Sequence, residues 1–442
     1  MRQGASLGIR QMRFTALILF VSTALAACSS FSGMFGSKND DSILPGQREI
    51  VIQTGNKLDV SDISKIPVVV PTAQFNPDWR QPGGVASNAP QHLTLRNEIG
   101  RVWSASAGTG STTQGRLTAV PIVAENRIFV LDTEAKVRAF TVKEGNRIWT
   151  TSLTPKDEEE EEGFGGGLAY DSGRVLAATA FGTVVALDPS NGKQLWSKNL
   201  GVPIRTAPTA ANGRVFVTAV NNQVFALSVA DGSTIWKFRS TGESAGLIGN
   251  TSPAVADGYV VVPYTTGDLI TFKAENGRVV WTDSLTRKGR LSSLSNLNDI
   301  AGRPVIYKGR VIAISHSGRL AGIDIKTGER LWSRNFPGTQ TPWLAGEYLF
   351  FVSSDNILMA ISHSDGKIRW IKRLGSGKWS GPVLAGGRLI IVNDSGKIMN
   401  ISPYTGTEVS TQQISEKILI APIVAGSTLY FITDDADLIA MR

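Results

Sequence analysis

The sequence has one cysteine, Cys28, and its neighbours indicate what its thiol would do. It follows Leu25-Ala26-Ala27, and small residues before a cysteine are what a lipoprotein signal peptidase needs at its cleavage site. The thiol would then be the nucleophile that accepts the lipid. The alternative is an ordinary small-residue cleavage site beside an unrelated cysteine. We expect lipidation at Cys28, because acyl chains contribute about 0.8 kcal/mol per buried CH₂ and several of them anchor a protein firmly.

The residues before this cysteine form a targeting segment. A stretch with three arginines precedes an apolar run over residues 14–27, which is too short to span a bilayer comfortably. We therefore expect residues 1–27 to be a lipoprotein signal peptide, whose true start is either Met1 or Met12. Residue Ser29 follows the cysteine, whereas an Asp at that place resembles an inner-membrane retention signal. The segment thus favours the outer membrane.

The other side chains that could do chemistry show no pattern of a catalytic or metal site. The three histidines, His92, His316 and His363, have no metal-ligand spacing, so a structural or surface role is expected for them. No Gly-x-Ser-x-Gly nucleophile elbow is found in the strand-to-helix context that a hydrolase requires. The sequence predicts no catalytic residue, no metal and no cofactor.

Six consecutive acids, Asp157–Glu162, make the strongest local charge run. A solvated loop is the expected interpretation, and a calcium site or a contact with a basic partner is the alternative. The glycine-rich residues 163–167 that follow are expected to form a loop rather than a phosphate cradle, because no helix comes next.

Composition limits the class of protein. The chain has 442 residues, of which 42% are apolar and 19% are charged, which is ample for a large core. Removing residues 1–27, with three arginines and no acid, lowers the formal net charge from +8 to +5. The remaining basic residues are scattered, so we expect no nucleic-acid binding. A single cysteine leaves no disulfide, and burial must stabilise the fold.

The most informative pattern is an internal repeat of about 40–50 residues. A full copy has a Pro-led apolar run, a Gly turn, two more apolar runs, a second Gly turn and a run that ends in Trp, and the copy that begins near Gly167 lacks the Pro. Residues 207–236 show the pattern fully. The closing tryptophans lie 38 to 51 residues apart, and Val409 occupies the next equivalent place. They are Trp103, Trp149, Trp196, Trp236, Trp281, Trp332 and Trp370.

Four short β runs joined by tight turns predict one antiparallel blade, and blades that cannot bury both faces alone stack around an axis. Eight repeat starts predict an all-β, eight-bladed β-propeller over residues 96–442. The last repeat lacks its fourth strand, and Trp103 ends a strand that no blade precedes. We therefore expect the strand near 99–103 to complete the last blade and close the ring.

Residues 28–95 do not follow the repeat. Ser29–Asp41 is polar and is expected to be a flexible leash. A proline-rich stretch follows, with short β-like runs at Glu49–Gln53 and Ile66–Val70, and is expected to be extended chain on the domain surface. Trp79 is expected to pack on that surface. The alternative is a partner-binding segment.

The repeat resembles the PQQ-like propeller repeat, which two functional families share. One is the quinoprotein dehydrogenases, which need calcium held by carboxylate and amide oxygens beside the cofactor. No cysteine follows Cys28 to supply the cysteine pair that many of them carry, and long insertions that build such a site are absent. A PQQ-dependent periplasmic dehydrogenase stays an alternative, as does a cell-surface or polysaccharide-binding propeller.

The lipobox, the eight repeats and the lack of a further domain are similar to the BamB family of outer-membrane assembly lipoproteins. That resemblance implies a non-catalytic scaffold on the periplasmic face of the outer membrane. Its partners would be the periplasmic domains of the central β-barrel subunit and other assembly lipoproteins. Nascent outer-membrane proteins held along blade edges are a secondary expectation.

Two connections between repeats are longer than three of the others. Trp236–Pro253 spans 17 residues and Trp281–Pro304 spans 23, whereas three others span 10 to 12. Both leave an outer strand and enter an inner one, so we expect them side by side on one face. The resemblance implies partner-binding residues in these two loops. Leu247 matches the family's leucine, Ile248 stands where its arginine is expected, and Asp299 matches one of its two acids while Ala301 replaces the other.

Overall fold

The computed structural model describes residues 63, 66–240, 251–286, 300, 302–316 and 318–442. Within these residues the chain forms 32 β-strands and one short 3-10 turn. No helix in this part of the chain is long and apolar enough to cross a bilayer. The strands form eight separate four-stranded antiparallel sheets, which confirms the predicted eight-bladed propeller.

Each blade follows from the repeat described above. Its β runs are rich in Val, Ile, Leu and aromatic residues, which favour strands, and Gly-containing pairs supply the tight turns between them. In the third blade Asn212 and Gly213 have φ angles of 53° and 72°, which is the left-handed geometry of a two-residue hairpin turn. The strands within a blade are therefore consecutive in sequence and adjacent in space.

The first four blades, each ordered from the inner to the outer strand, have the following bounds. They are β2 Ile122–Ala124, β3 Arg127–Leu131, β4 Lys136–Thr141 and β5 Arg147–Ser152; β6 Gly167–Asp171, β7 Arg174–Ala178, β8 Thr183–Leu187 and β9 Gln194–Asn199; β10 Thr209–Ala211, β11 Arg214–Thr218, β12 Gln223–Ser228 and β13 Thr234–Arg239; β14 Ala254–Ala256, β15 Tyr259–Pro263, β16 Asp268–Lys273 and β17 Val279–Ser284.

The last four blades follow the same order. They are β18 Val305–Tyr307, β19 Arg310–Ile314, β20 Leu320–Asp324 and β21 Arg330–Arg334; β22 Trp343–Ala345, β23 Tyr348–Val352, β24 Ile357–Ser362 and β25 Ile368–Arg373; β26 Trp379–Ala385, β27 Arg388–Asn393, β28 Lys397–Ile401 and β29 Glu408–Gln413; β30 Ile423–Ala425, β31 Thr428–Ile432, β32 Asp437–Met441 and β1 Arg101–Ser106.

The eighth blade closes the ring, as the sequence predicts. Strand β1 pairs antiparallel with β32, and Trp103 lies opposite Ala440. The strand begins at Arg101 and runs to Ser106, a shift of a few residues from the predicted 99–103. Gly100 instead exchanges backbone hydrogen bonds with Arg442 at the chain end. The first and last strands of the propeller are thus held in one sheet.

Burial decreases from the hub to the rim of each blade. In the first blade the second strand, β3, is buried after its first residue, whereas the outer strand, β5, is mostly exposed. Because the blades splay apart at the rim, apolar side chains of the middle strands fill the space between neighbouring blades. Burial of these side chains supplies the main favourable term in stability.

The recurring tryptophans join each blade to the next. Each indole Nε1 donates a hydrogen bond of 2.8 to 3.2 Å to a backbone carbonyl in the turn before the outer strand of the following blade. Each ring also covers a glycine of that turn, where a Cβ would lie within 2.7 Å of a tryptophan atom. These glycines are Gly145, Gly192, Gly232, Gly277, Gly328, Gly366 and Gly406.

Two details of the tryptophan pattern differ from the sequence prediction. The tryptophan is the third residue of each outer strand rather than its last, because the polar residues after it continue along the exposed rim. In the seventh blade Asn400 pairs with Ser410, as Ala360 pairs with Trp370, so Ser410 and not Val409 is the equivalent residue. A tryptophan there would have no partner turn, since the eighth blade takes its outer strand from β1.

The two ends of the propeller differ. The turns that join the first and second strands lie at one end, which we call the turn face, and residues 125–126 and 212–213 are examples. The connections that join an outer strand to the next inner strand lie at the opposite end, which we call the loop face. Residues 240–253 and 285–304, the two connections that the sequence singled out as long, belong to this face, and residues 107–121 and 153–166 form connections at least as long as the first of them.

Candidate functional site

The two long connections leave neighbouring strands of the loop face. One joins β13 to β14 and the other joins β17 to β18, so both border the fourth blade. The predicted partner-binding residues Leu247, Ile248 and Asp299 lie outside the described residues, as does the predicted lipidation residue Cys28. The structure therefore describes the bases of the two connections.

The bases of the two connections contact each other. The Thr251 hydroxyl donates a hydrogen bond of 3.3 Å to the backbone carbonyl of Ile300. Ile300 is 2% exposed and belongs to the apolar core between the fourth and fifth blades. The Ser315 hydroxyl donates to the carbonyl of Leu285 at 3.1 Å, which fixes the start of the second connection. Two loops from different interblade positions thus rise from one anchored base.

The acidic run Asp157–Glu162 lies in a third connection of the loop face, between β5 and β6. Part of it forms the 3-10 turn Glu160–Gly163, and its acidic side chains are exposed. Lys136 binds both Glu134 and Glu160, at 2.8 and 2.7 Å, and these bonds raise the pKa of Lys136. Within the described residues no group of three or more His, Cys, Asp or Glu side chains could hold a metal ion.

The three histidines lie apart and have different surroundings. His92 and His363 are buried on the turn-face side, and His316 borders the hub. Burial lowers the pKa of His363, although Glu347 Oε2 lies 3.4 Å from its Nδ1 and opposes that shift. Between the first and second blades, Tyr170 donates a hydrogen bond to Glu125, and burial raises the pKa of Tyr170 to about 12. Because the three histidines lie apart from one another, we assign structural roles to them.

Residues 74–95, which we call the clasp, lie against the propeller as the sequence analysis expects, and Trp79 packs there; their path around all eight blades was not predicted. From Asn76 onward the clasp makes one circuit of the turn face and hydrogen-bonds the inner-strand region of every blade in turn. Its contacts, from the eighth blade through the first to the seventh, are Asn76 with Gly426, Trp79 with Val123, Arg80 with Tyr170, Gln81 with Ala210, Ala86 with Val255, Ser87 with Ile306, Gln91 with Gly346 and Leu93 with Leu384 and Gly386.

The clasp is buried as it crosses the hub. Trp79 is 3% exposed, exchanges two backbone hydrogen bonds with Val123 and stacks on Trp343 with ring centroids 6.3 Å apart. The Nδ1 of His92 lies 2.6 Å from the carbonyl of Pro71, and its Nε2 accepts a hydrogen bond from the amide of Gly387. The predicted β-like run 66–70 forms no strand, and only Val68 in it is buried.

Behind the clasp lies a hub cavity of about 750 Å³. Clasp residues line one end of it, and exposed loop-face residues such as Arg116 and Lys378 line the other. None of its described lining residues is Asp or Glu. A calcium ion of the quinoprotein kind needs carboxylate oxygens, so this part of the hub does not fit that group.

Comparison with known proteins assigns most of the chain to one family. The sequence profile of the family described as "Outer membrane protein assembly factor BamB" matches residues 133–372 and 371–442. The protein of that name from Yersinia pestis is 25% identical over 320 residues, which cover 71% of this chain and 81% of that protein. The one from Burkholderia pseudomallei is 24% identical over 350 residues, which cover 78% and 88%.

Solved structures share the fold. BamB from Moraxella catarrhalis matches with a TM-score of 0.66 at 18% identity, covering 78% of this chain and all of that one (100%). The quinohemoprotein alcohol dehydrogenase from Comamonas testosteroni matches with a TM-score of 0.66 at 13% identity, covering 84% and 81%. Likeness at such identities shows the architecture alone, whereas the sequence profile spans most of the propeller. The chain therefore belongs to the family of the outer membrane protein assembly factor BamB.

Proposed function

We propose that this chain is a non-catalytic scaffold lipoprotein of the machinery that assembles outer-membrane β-barrel proteins. It docks on the periplasmic domains of the central barrel subunit through the two long connections of the loop face. The observation that carries this proposal is the shared, anchored base of those connections, in which Thr251 contacts Ile300. Its relatives carry the name of an outer membrane protein assembly factor.

The fold suits a scaffold because it holds its loops on a rigid body. Seven tryptophan contacts link successive blades, and the clasp bonds all eight. Binding residues are often found on loops that a rigid framework positions. On such a body the bases of the two connections are held in place, which lowers the entropy cost of binding a partner there.

The attachment to the membrane completes the proposal. A lipid on Cys28 would hold the protein at the periplasmic side of the outer membrane, and the polar residues after it would act as a leash. Growth of the source bacterium with labelled palmitate tests this directly. The wild-type chain is expected to incorporate label and to fractionate with outer membranes, and the Cys28→Ser variant to do neither.

The alternative enzyme function is less well supported by the hub. Its described lining has no carboxylate for calcium, and the dehydrogenases match only in architecture. A titration of the purified protein with quinone and calcium separates the two functions. Saturable binding of quinone that depends on calcium, followed by alcohol oxidation, would replace the scaffold proposal.

The proposed partner is tested by purification from native membranes. An affinity tag at the C-terminus of the full-length chain, followed by mild solubilisation, should recover a large outer-membrane barrel protein that carries periplasmic repeats. The same purification with the tag on an unrelated outer-membrane lipoprotein is the control. Recovery of the tagged chain without any such barrel protein would contradict the proposal.

A further inference from the structure

A second cavity lies on the loop face, beside the first three blades. It is an open groove of about 650 Å³, walled by the connections 107–121, 153–166 and 200–208 and by the loop-face turn 179–182. None of its described lining residues belongs to the hub cavity or to the two long connections. The groove is therefore a surface that the proposed function leaves unused.

Aromatic side chains line this groove. Phe164 is half-buried and is fixed by neighbouring connections. Gly115 lies so close that a Cβ there would come within 2.5 Å of Phe164, and the Arg205 guanidinium carbon lies 4.3 Å from the centre of the Phe164 ring. Phe181, in the loop-face turn of the second blade, is also half-buried. Two partly exposed rings in one groove offer apolar area that a further side chain would cover.

Apolar residues extend from the groove to the base of the first long connection. Val202 and Pro203 also line the groove, and the Pro203 carbonyl accepts a hydrogen bond of 3.0 Å from the amide of Val220. Val220 is 46% exposed and lies in the next loop-face turn, where the Asn222 carbonyl accepts a hydrogen bond of 3.1 Å from the amide of Ser240. The groove is thus continuous with the surface at which that connection begins.

The lining of the groove carries an excess of negative charge. Four carboxylates of the acidic run line it, those of Glu158, Glu159, Glu161 and Glu162. Among the described residues none of these four forms an ion pair, whereas Glu160, which does not line the groove, binds Lys136 at 2.7 Å. Arg205 is the one cation in the described lining. Four negative charges thus stand against one positive charge, on a chain whose formal net charge is +8.

The arrangement of the carboxylates does not suit a metal ion. Calcium needs about six to eight oxygen ligands around one point, and the described acids are not grouped closely enough to hold a metal. A lysine or arginine side chain needs only one or two carboxylates, and its apolar stem covers aromatic rings. Separated charges beside apolar area therefore favour a polypeptide with basic and apolar side chains.

We propose that this groove binds a basic, extended segment of a partner protein. Lysine or arginine side chains of the segment pair with the four glutamates, and an apolar side chain between them packs on Phe164 and Phe181. Because an exposed ion pair contributes only about 0–1 kcal/mol, the apolar contact is needed as well. The groove lies outside the two long connections, so this contact is an addition to the docking proposed above and does not depend on it.

The probe is a fluorescein-labelled peptide in which lysine alternates with leucine and phenylalanine. Fluorescence anisotropy reports its binding to the purified full-length chain. In one counterpart peptide glutamine replaces each lysine, and in the other serine replaces each apolar residue. The parent peptide is expected to bind saturably and each counterpart at least about tenfold more weakly, because each lacks one of the two contacts. No saturable binding of the parent, or equal binding of the serine counterpart, would overturn the proposal.

Divalent cations separate a polypeptide site from a metal site. Calcium chloride and magnesium chloride at equal concentrations should weaken binding of the parent peptide equally, because both act by screening the exposed charges. If calcium displaces the peptide at a much lower concentration than magnesium does, the acids form a calcium site and the proposal is wrong.

Charge variants place the peptide on the groove. Glu159→Lys together with Glu162→Lys reverses two lining charges and should weaken peptide binding about tenfold or more. The control pair, Glu144→Lys and Glu275→Lys, makes the same change of net charge at exposed residues near the turn face. Equal effects of the two pairs would show that net charge alone attracts the peptide and would contradict the assigned site.

The apolar contact needs its own variants. Phe181→Ser removes a lining ring and should weaken peptide binding several-fold, whereas Phe181→Leu keeps an apolar side chain and should retain most of the affinity. Phe75→Ser is the control, because Phe75 is 65% exposed and lies in the clasp on the opposite face. Circular dichroism and the thermal midpoint check that each variant is folded. Equal peptide affinities of Phe181→Ser and Phe75→Ser would overturn the placement of the segment on these rings.

Discussion

Thr251 and Ile300 join the bases of two connections that are almost 50 residues apart in sequence, through a hydrogen bond of 3.3 Å. The first connection follows the third blade and the second follows the fourth. Because Ile300 is buried in the core between blades, the bond ties both connections to the rigid part of the molecule. The bases of the two connections are thus anchored together.

The Thr251→Val variant removes this hydrogen bond and keeps the side-chain shape. We expect the affinity for the partner to fall several-fold, since a net hydrogen bond is worth about 1 kcal/mol and here it organises the docking surface. Calorimetric titration with the partner's periplasmic domains measures the effect. Thr405→Val is the control, because it removes a comparable bond to Thr407 in a turn on the opposite face. Equal affinities of the two variants would show that the bond does not organise the surface.

Individual side chains of the clasp should contribute to the free energy of unfolding of the propeller. Gln81 Nε2 donates to the carbonyl of Ala210 at 2.8 Å, and its Oε1 accepts from the amide of Ala210 at 3.1 Å. Gln81→Ala leaves both buried backbone groups without these bonds, so we expect a loss of about 2 kcal/mol or more in the free energy of unfolding. Urea denaturation measures it, and exposed Gln114→Ala is the control. A loss below that of the control would show that the clasp only rests on the hub.

The contact between Trp196 and Gly232 should appear as a coupling energy between substitutions at these two residues. Gly232 and Gly213 both have φ of +72°, but only Gly232 faces a ring, that of Trp196. Gly213→Ala should cost about 1–2 kcal/mol from backbone conformation alone. Gly232→Ala should cost about 1–3 kcal/mol more, because its Cβ would overlap the indole.

A double-mutant cycle with Trp196→Ala separates the two terms. In that background the extra cost of Gly232→Ala is expected to vanish, and the cost of Gly213→Ala to persist. If the extra cost of Gly232→Ala stays in the absence of the indole, overlap with the ring is not its cause.

The buried His363 should make stability depend on pH. Burial lowers its pKa below the ordinary 6.5, so below that value the unfolded chain binds a proton that the folded chain does not. The free energy of unfolding should therefore fall as pH decreases through about 6.5 and below, until the folded pKa is reached. His363→Leu should lose this part of the pH dependence. Denaturation at a series of pH values in both proteins measures the difference, and parallel curves would contradict it.

Much of the fold could be predicted because its contacts recur along the sequence. Six of the seven tryptophans follow their own blade's turn glycine by four residues, and this spacing made the blades visible. Trp103 ends a run that no repeat precedes, which indicated the closing strand. The equivalent of the tryptophan in the seventh blade was misplaced by one residue, because no tryptophan marks it: Ser410 stands there, four residues after Gly406.

The clasp and the hub cavity could not be predicted from the sequence. Residues 74–95 have no periodicity, and their partners are backbone groups of eight blades that are distant in sequence. Polar residues such as Gln81 and Asn88 among prolines were the one available signal. The cavity lining comes from many separate segments, so no local motif describes it.

Docking through the two long connections is central to the proposed scaffold function. The direct measurement is the affinity of purified Leu247→Glu and Asp299→Lys variants for the periplasmic domains of the central barrel subunit, by calorimetric titration. Val409→Glu and Glu275→Lys, at exposed positions away from the loop face, are the matched controls. We predict that each loop variant binds about tenfold or more weakly than the wild type with an unchanged thermal midpoint, while the controls bind normally. Wild-type affinity in both loop variants would contradict the proposed docking surface.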